Sequence, residues 1–257
     1  MQNKKIALLL IREKKNEGGF QMKTVIYGHR GVPDLYPENS LQGFRYSLHN
    51  HIEGLEFDVH LTKDNVPVVI HDERIDRTTD GRGYVKDYTY EELSRFSLSN
   101  YEPIPKLQEV LELVEGRDVY VNLEFKTNKI HYKNIEEIVI KMVDEYELIH
   151  PIIYSSFNLS SIKIAQTITH DAKFAFLTGN RIDNPREFMA ANHLDALHLR
   201  FYQPDIEDVE RIWTVNGNLR LRFIMKRNVA GVFTNNFERA IKIRNEVERK
   251  KGNKKDK

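Results

Sequence analysis

Apolar positions recur along this chain with two periods that take turns. Val25, Ile26 and Tyr27 form a short β-branched and aromatic run stopped by Gly28, the pattern of a buried strand ending at His29. Pro33 and Pro37 keep the next segment out of a helix. A helix is predicted from Asn39 or Ser40, both good N-caps, with Leu41, Phe44 and Leu48 at helical spacing. Leu55, Phe57 and Val59 then alternate with Glu56, Asp58 and His60, which predicts a strand with its carboxylates on one face. After Asp64 and Asn65 come Pro67, Val68, Val69 and Ile70, a further strand ending at His71. That connection is too short for a crossover helix, so the two strands must be antiparallel and His71 returns to the level of Asp58.

Residues 73–105 carry few apolar positions and many Asp, Gly, Arg, Thr and Tyr, and read as a surface insertion or lid closed by Pro103 and Pro105. Within it, Thr89 and Glu92 form a capping box for a short helix to Phe96. Regular alternation follows. Helical spacing marks Leu107, Val110, Leu111 and Val114, and then Ile135, Ile138, Val139, Met142, Val143 and Tyr146. Strands are predicted over residues 119–125, 152–154, 174–177, 196–199, 212–215 and 231–234, with helical patterns beginning near Leu159, Pro185, Asp205, Leu219 and Phe237. Strand and helix in alternation predict a parallel sheet with helices outside. Leaving out the strand that returns to His71, eight parallel strands are expected, the number that closes a TIM (β/α)8 barrel. An open doubly wound sheet is the alternative, but the dinucleotide glycine fingerprint is missing.

A chain of 257 residues is long enough for such a barrel as one domain. Lys and Arg total 39 against 38 for Asp and Glu, so the field at long range is weak and argues against a general nucleic-acid or membrane-surface binder. With no cysteine, disulfides, zinc–thiolate sites and Cys nucleophiles are excluded. Near the start, Lys4 and Lys5 precede the apolar run from Ile6 to Ile11, but charged residues follow where a signal peptide needs small ones. Residues 1–21 are therefore read as an N-terminal extension, 22–245 as the barrel domain, and 246–257 as a basic, fraying tail in a cytoplasmic protein.

The chemistry gathers at strand ends: His29, Glu56 with Asp58, His71, and Glu124 with Lys126. Singly, each has a plain reading: a turn histidine, a solvated strand face, a surface ion pair worth under ~1 kcal/mol. In a barrel, however, those ends converge on one mouth. Asn122, Glu124 and Lys126 share a face while Leu123 and Phe125 turn outward, and a buried Glu and Lys need compensation. Three carboxylates without a thiolate form a hard-oxygen site, suited to one divalent cation, Mg²⁺ or Ca²⁺.

These residues stand in an ordered set of motifs. They are His29-Arg30-Gly31, Pro37-Glu38-Asn39-Ser40, Glu56-x-Asp58-Val59-x-x-Thr62-x-Asp64, Val69-Ile70-His71-Asp72 and Arg77-Thr78-Thr79-x-Gly81-x-Gly83. Leu123-Glu124-Phe125-Lys126, Ser156-Phe157 and Trp213-Thr214-Val215-Asn216 follow. The set resembles the glycerophosphodiester phosphodiesterases from about Val25 to Phe237. The resemblance implies a TIM-barrel hydrolase that cuts a small-molecule glycerophosphodiester into an alcohol and sn-glycerol 3-phosphate. It also implies roles. Glu56, Asp58 and Glu124 would hold the metal, His29 and His71 would be the acid–base pair, Arg30 and Lys126 would meet the phosphate, and Trp213 would line the glycerol end. Thr234-Asn235 stands where the family commonly has Thr-Asp, and Phe125 replaces the middle residue of Glu-Leu-Lys.

Two rival functions share this framework. One is a lysophospholipase D-type or phosphoinositide phospholipase C-like enzyme, with Tyr84, Tyr88, Tyr90, Phe96 and Tyr101 meeting lipid, although packing of a small lid is the simpler use for them. The other is an inactive barrel that binds a phosphodiester, disfavoured because the expected catalytic and metal positions are intact. The alcohol half of the substrate and the oligomeric state leave no mark in the sequence.

Overall fold

The computed structural model of the protein describes residues 23–255; the N-terminal extension read at residues 1–21 lies outside them. Eight parallel strands form a closed barrel: β1 (Val25–His29), β2 (Gly54–Leu61), β4 (Tyr120–Phe125), β5 (Ile153–Ser156), β6 (Lys173–Thr178), β7 (Ala196–Leu199), β8 (Glu210–Ile212) and β9 (Gly231–Thr234). β1 pairs with both β2 and β9, which closes the ring. The short β3 (Pro67–Val69) runs antiparallel to β2, pairing Val59 with Val69 and Leu61 with Pro67. Around the barrel stand α1 (Leu41–His49), α3 (Leu107–Val114), α4 (Ile135–Val143), α5 (Leu159–Ile168), α6 (Pro185–Ala191), α7 (Asn218–Met225) and α8 (Phe237–Lys255), while α2 (Tyr90–Leu93) belongs to the insertion. Among the described residues no helix is long and apolar enough to cross a membrane.

The period of two does the sorting. Leu55, Phe57 and Val59 of β2, with Val121, Leu123 and Phe125 of β4, turn outward into one large core. They meet Leu41 and Phe44 of α1, Leu107 and Leu111 of α3, and Ile135 and Val139 of α4 there. The inward positions have a different job. Low in the barrel, Tyr27, Ile153, Ala175, Ala196 and Phe233 fill the floor. Tyr27 fits only because its neighbours lack side chains: a Cβ on Gly54 would stand 2.4 Å from the ring. Higher up, the inward positions become polar.

The insertion packs Ile75, Val85, Leu93, Leu98 and Ile104 against Val68 and Ile70 of the returning segment, with Tyr88, Tyr90 and Phe96 packed against this small core. The capping box at Thr89 and Glu92 is present, and the helix it starts stops at Leu93 rather than Phe96. Tyr84 and Tyr101 are exposed.

Three segments depart from the sequence reading. Residues 200–209 carry turns and no helix, although a helical pattern begins near Asp205. Pro204 precedes Asp205, whose φ of 73° is left-handed, and Ile206 is buried as a plug in a loop. β8 lies at Glu210–Ile212, ahead of the expected 212–215; Trp213 and Val215 extend it with isolated bonds, Trp213 N to Leu199 O (3.0 Å) and Val215 N to Phe233 O (2.9 Å). Last, α8 continues to Lys255 through the stretch read as a fraying tail. Ala240, Ile243, Arg244 and Val247 give it a buried stripe at helical spacing, and Lys251 Nζ donates to Asn228 Oδ1 at 2.8 Å.

Arg244 on that helix clamps the closing seam. Its guanidinium donates to Thr24 O (2.6 Å) and to both oxygens of Glu53 (2.5 and 2.6 Å), and Glu53 also accepts Ile26 N at 3.0 Å. Arg244 is only 2 % exposed. Arg244→Ala is expected to destabilise the fold by about 3 kcal/mol, because it strands a partly buried carboxylate. Urea unfolding of the two proteins measures this, and a loss under ~1 kcal/mol would show that the seam closes without the clamp.

Candidate active site

Neighbouring strands deliver the polar groups in register. His29 at the end of β1 lies beside Glu56 of β2, and Asp58 lies beside Glu124 of β4. Glu56, Asp58 and Glu124 are all buried, and each offers an oxygen within 4.8 Å of the others. The chain bends sharply above them. Arg30 adopts a left-handed φ of 54°, which turns its backbone N to Glu56 Oε2 (2.9 Å). Its side chain reaches Glu38 Oε1 with Nη1 (3.0 Å) and Asp58 Oδ2 with Nε (3.4 Å). Lys126, one residue past β4, sets its Nζ 2.8 Å from Glu124 Oε1 and 3.5 Å from Asp58 Oδ1.

Burial and crowding set the charges. Burial pushes Glu56 well above the usual carboxylate range, and the nearby Asp58 and Glu124 add to it. Burial raises Glu124 too, against the pull of Lys126. Burial works the same way on Asp58, but Lys126 and Arg30 outweigh it and hold that carboxyl below its ordinary value. The Asp58 Oδ1 atom is buried without a hydrogen-bond partner. Like charges this close, with an unpartnered oxygen among them, fit a hard divalent cation.

Two imidazoles flank the carboxylates. His29 Nδ1 donates to Asn235 Oδ1 at 2.8 Å, and burial together with Arg30 pushes this histidine down to about 4. His71 Nδ1 lies 2.6 Å from Asp72 Oδ1. Asp72 is itself held down to about 2: burial opposes this, while Arg77 and His71 prevail. Among the described residues neither Nε2 has a hydrogen-bond partner, so each histidine is anchored by one nitrogen and free at the other. A cavity of about 220 Å³ opens here, lined by His71, Glu73, Lys126, Asn128, Lys129 and Phe157. Trp213 is not in its wall; its ring stands 5.5 Å from Phe157, and its Nε1 donates to His198 O at 2.9 Å.

Three contributors escaped the sequence reading. Of the two candidate caps, Ser40 caps α1, and Asn39 has a left-handed φ of 55° and donates its Nδ2 to Asp58 Oδ2 at 3.0 Å. His60 lies 2.8 Å from the Tyr132 hydroxyl and 3.1 Å from His71 O, which fixes the backbone of His71. Arg77, from the insertion, donates to Asp72 Oδ2 (2.6 Å) and to both Glu38 oxygens (2.9 and 2.6 Å). One guanidinium thus braces the partner of His71 and the partner of Arg30. Only their presence in the motif blocks hinted at Asn39 and Arg77; His60 carried no signal beyond the strand alternation.

The fold is that of the (β/α)8 barrel enzymes, with its polar cluster at the strand C-termini where such enzymes do their chemistry. Residues 29–239 match the glycerophosphoryl diester phosphodiesterase family. A glycerophosphodiester phosphodiesterase of Bacillus altitudinis is 36% identical over 248 residues, covering 87% of this chain and 99% of that protein. One from Caldanaerobacter subterraneus is 34% identical over 238 residues, covering 86% and 98%. Among solved structures, an Oleispira antarctica phosphodiesterase in complex with the product sn-glycerol-3-phosphate superposes with a TM-score of 0.79. It is 22% identical and covers 86% of this chain and 96% of its own. The chain belongs to the glycerophosphoryl diester phosphodiesterase family, and it is an enzyme that hydrolyses glycerophosphodiesters.

A cation held by the acidic triad would stabilise the native state by linkage, by about 2.7 kcal/mol at a hundred times Kd. Adding Mg²⁺ or Ca²⁺ is therefore expected to raise Tm by roughly 5–10 °C for a domain of this size. Glu124→Gln should abolish that rise. A scan in which the variant responds like the parent would place the cation elsewhere.

Proposed function

We propose that the enzyme cleaves its substrate into an alcohol and sn-glycerol 3-phosphate, with a single Mg²⁺ or Ca²⁺ held by Glu56, Asp58 and Glu124. The observation that carries this reading is the meeting of those carboxylates within 4.8 Å, beside Arg30 and Lys126 and between two half-anchored imidazoles. When bound, the cation supplies Lewis acidity toward a phosphoryl oxygen. The chain's own groups do the rest. Attack at phosphorus builds charge on the equatorial oxygens, and Arg30 and Lys126 sit where they can stabilise it without reorganising. Trp213, standing against Phe157, borders the glycerol end.

The two histidines have different backing, and this separates their work. A carboxylate, that of Asp72, stands behind His71, whereas the neutral amide of Asn235 stands behind His29. His29 Nε2 takes the proton of the attacking hydroxyl or water. His71 Nε2 gives one to the departing alkoxide. Each positioned proton transfer is worth typically 10²–10⁴-fold, roughly 3–5 kcal/mol, so the electrostatic groups must supply much of the remainder.

Release of glycerol 3-phosphate from glycerophosphocholine in a coupled assay, with and without EDTA, tests the reading directly. Glu124→Ala is expected to cost at least about 10²-fold in turnover, comparable to His29→Ala. Near-normal turnover of the Glu124 variant in metal-limited buffer would remove the triad from the reaction.

The division between the histidines has its own measurement. A diester with a p-nitrophenyl leaving group needs no proton on the departing oxygen. His71→Ala should therefore lose about 10²-fold or more on glycerophosphocholine and far less on the activated diester, while His29→Ala loses similarly on both. The reverse pattern would exchange the two roles.

A further inference from the structure

The barrel lacks a helix between β7 and β8, and the surface left there is unlike the rest of the mouth. Phe201 is 55% exposed and Leu219, on the first turn of α7, is 86% exposed. Arg200 stands 5.5 Å from the Phe201 ring. Arg220 donates to Thr214 O at 3.0 Å and to the carbonyl of Arg200, which ties the two segments into one patch. Thr214 follows Trp213, whose ring stands against Phe157 of the cavity wall, so the patch lies on the same face of the barrel as the cavity. Among the described residues no carboxylate lies within ion-pair distance of Arg200 or Arg220. Of the acids of the same loop, Glu207 meets Tyr202 and Asp208 meets Arg186, while Asp205 is exposed and pairs with neither arginine. Burial and the neighbouring Arg200 even hold Arg220 below the usual guanidinium range.

We infer that this patch docks the barrel mouth on an anionic lipid surface, with Phe201 and Leu219 entering the interface and Arg200 and Arg220 meeting head-group phosphates. Apolar side chains rimmed by arginine suit a bilayer interface, where each basic residue near an anionic leaflet contributes about 1 kcal/mol. A second copy of the chain fits less well. Two-fold symmetry would set the paired arginines against themselves, and two exposed side chains fall far short of the ~1,200 Å² that a stable dimer buries. A net charge of +1 leaves no long-range attraction to mask the local one. The docking does not depend on the chemistry within the barrel and is measured without it.

The test is co-sedimentation of the full-length protein, at low salt, with vesicles of phosphatidylcholine alone or mixed with phosphatidylglycerol. Binding to the anionic vesicles only is expected, with the partition coefficient falling about 5-fold in Arg200→Gln and about 25-fold when Arg220→Gln is added. Leu219→Ser, at an exposed position, should weaken binding while leaving Tm and hydrolysis of a soluble diester unchanged. Equal binding to both vesicles, no binding, or binding that survives these substitutions overturns the inference. A dimer in sedimentation equilibrium that Leu219→Ser dissolves would assign the patch to a second copy instead.

Discussion

The balance of buried charge at the barrel mouth is what the surrounding structure answers to. Three carboxylates on adjacent strands would repel one another and resist burial, yet Glu56, Asp58 and Glu124 are all out of water. Lys126 and Arg30 compensate part of this, and Asn39 supplies a neutral donor to Asp58. What remains uncompensated is the raised affinity of Glu56 for its proton and an oxygen of Asp58 with no hydrogen-bond partner. A site so arranged is tense on its own, and a bound cation would relieve it. Stability and chemistry therefore make opposite demands on the same residues, and the large apolar layer outside the strands is what tolerates the conflict.

Much of the fold was legible because strand period and helix period differ so sharply here. Leu55, Phe57 and Val59 outward and Glu56 and Asp58 inward follow from alternation alone. The antiparallel return to His71 followed from the length of one turn. The helix near Asp205 misread for a physical reason: Ile206 and Val209 have helical spacing, but Pro204 and the left-handed Asp205 turn the backbone away. The tail misread in the opposite direction. Its charges suggested solvent, yet one stripe of α8 finds apolar partners and Lys251 an acceptor, so the helix persists.

At the site, residues on strand ends could be found from pattern and resemblance, and residues that act through others could not. Glu38, Asp72 and Arg77 matter by touching partners up to 39 positions away, and no local period encodes that. His60 is subtler. It looks like one more inward position of β2, yet the structure spends it on holding the His71 carbonyl. Asn235, the departure from the family pattern, proves to sit directly behind His29, so a one-atom-type change falls on a proton-bearing nitrogen.

The brace made by Arg77 has a consequence for how such barrels diversify. The insertion packs a small core of its own residues against Val68 and Ile70 and so looks like a module that could be exchanged between relatives. The guanidinium of its Arg77, however, is shared between two carboxylates of the parent barrel. A graft that preserved every apolar contact but omitted this arginine would leave Glu38 with Arg30 alone and Asp72 with His71 alone. Recombination at this boundary is thus governed by one cation and only secondarily by the fit of the hydrophobic surfaces.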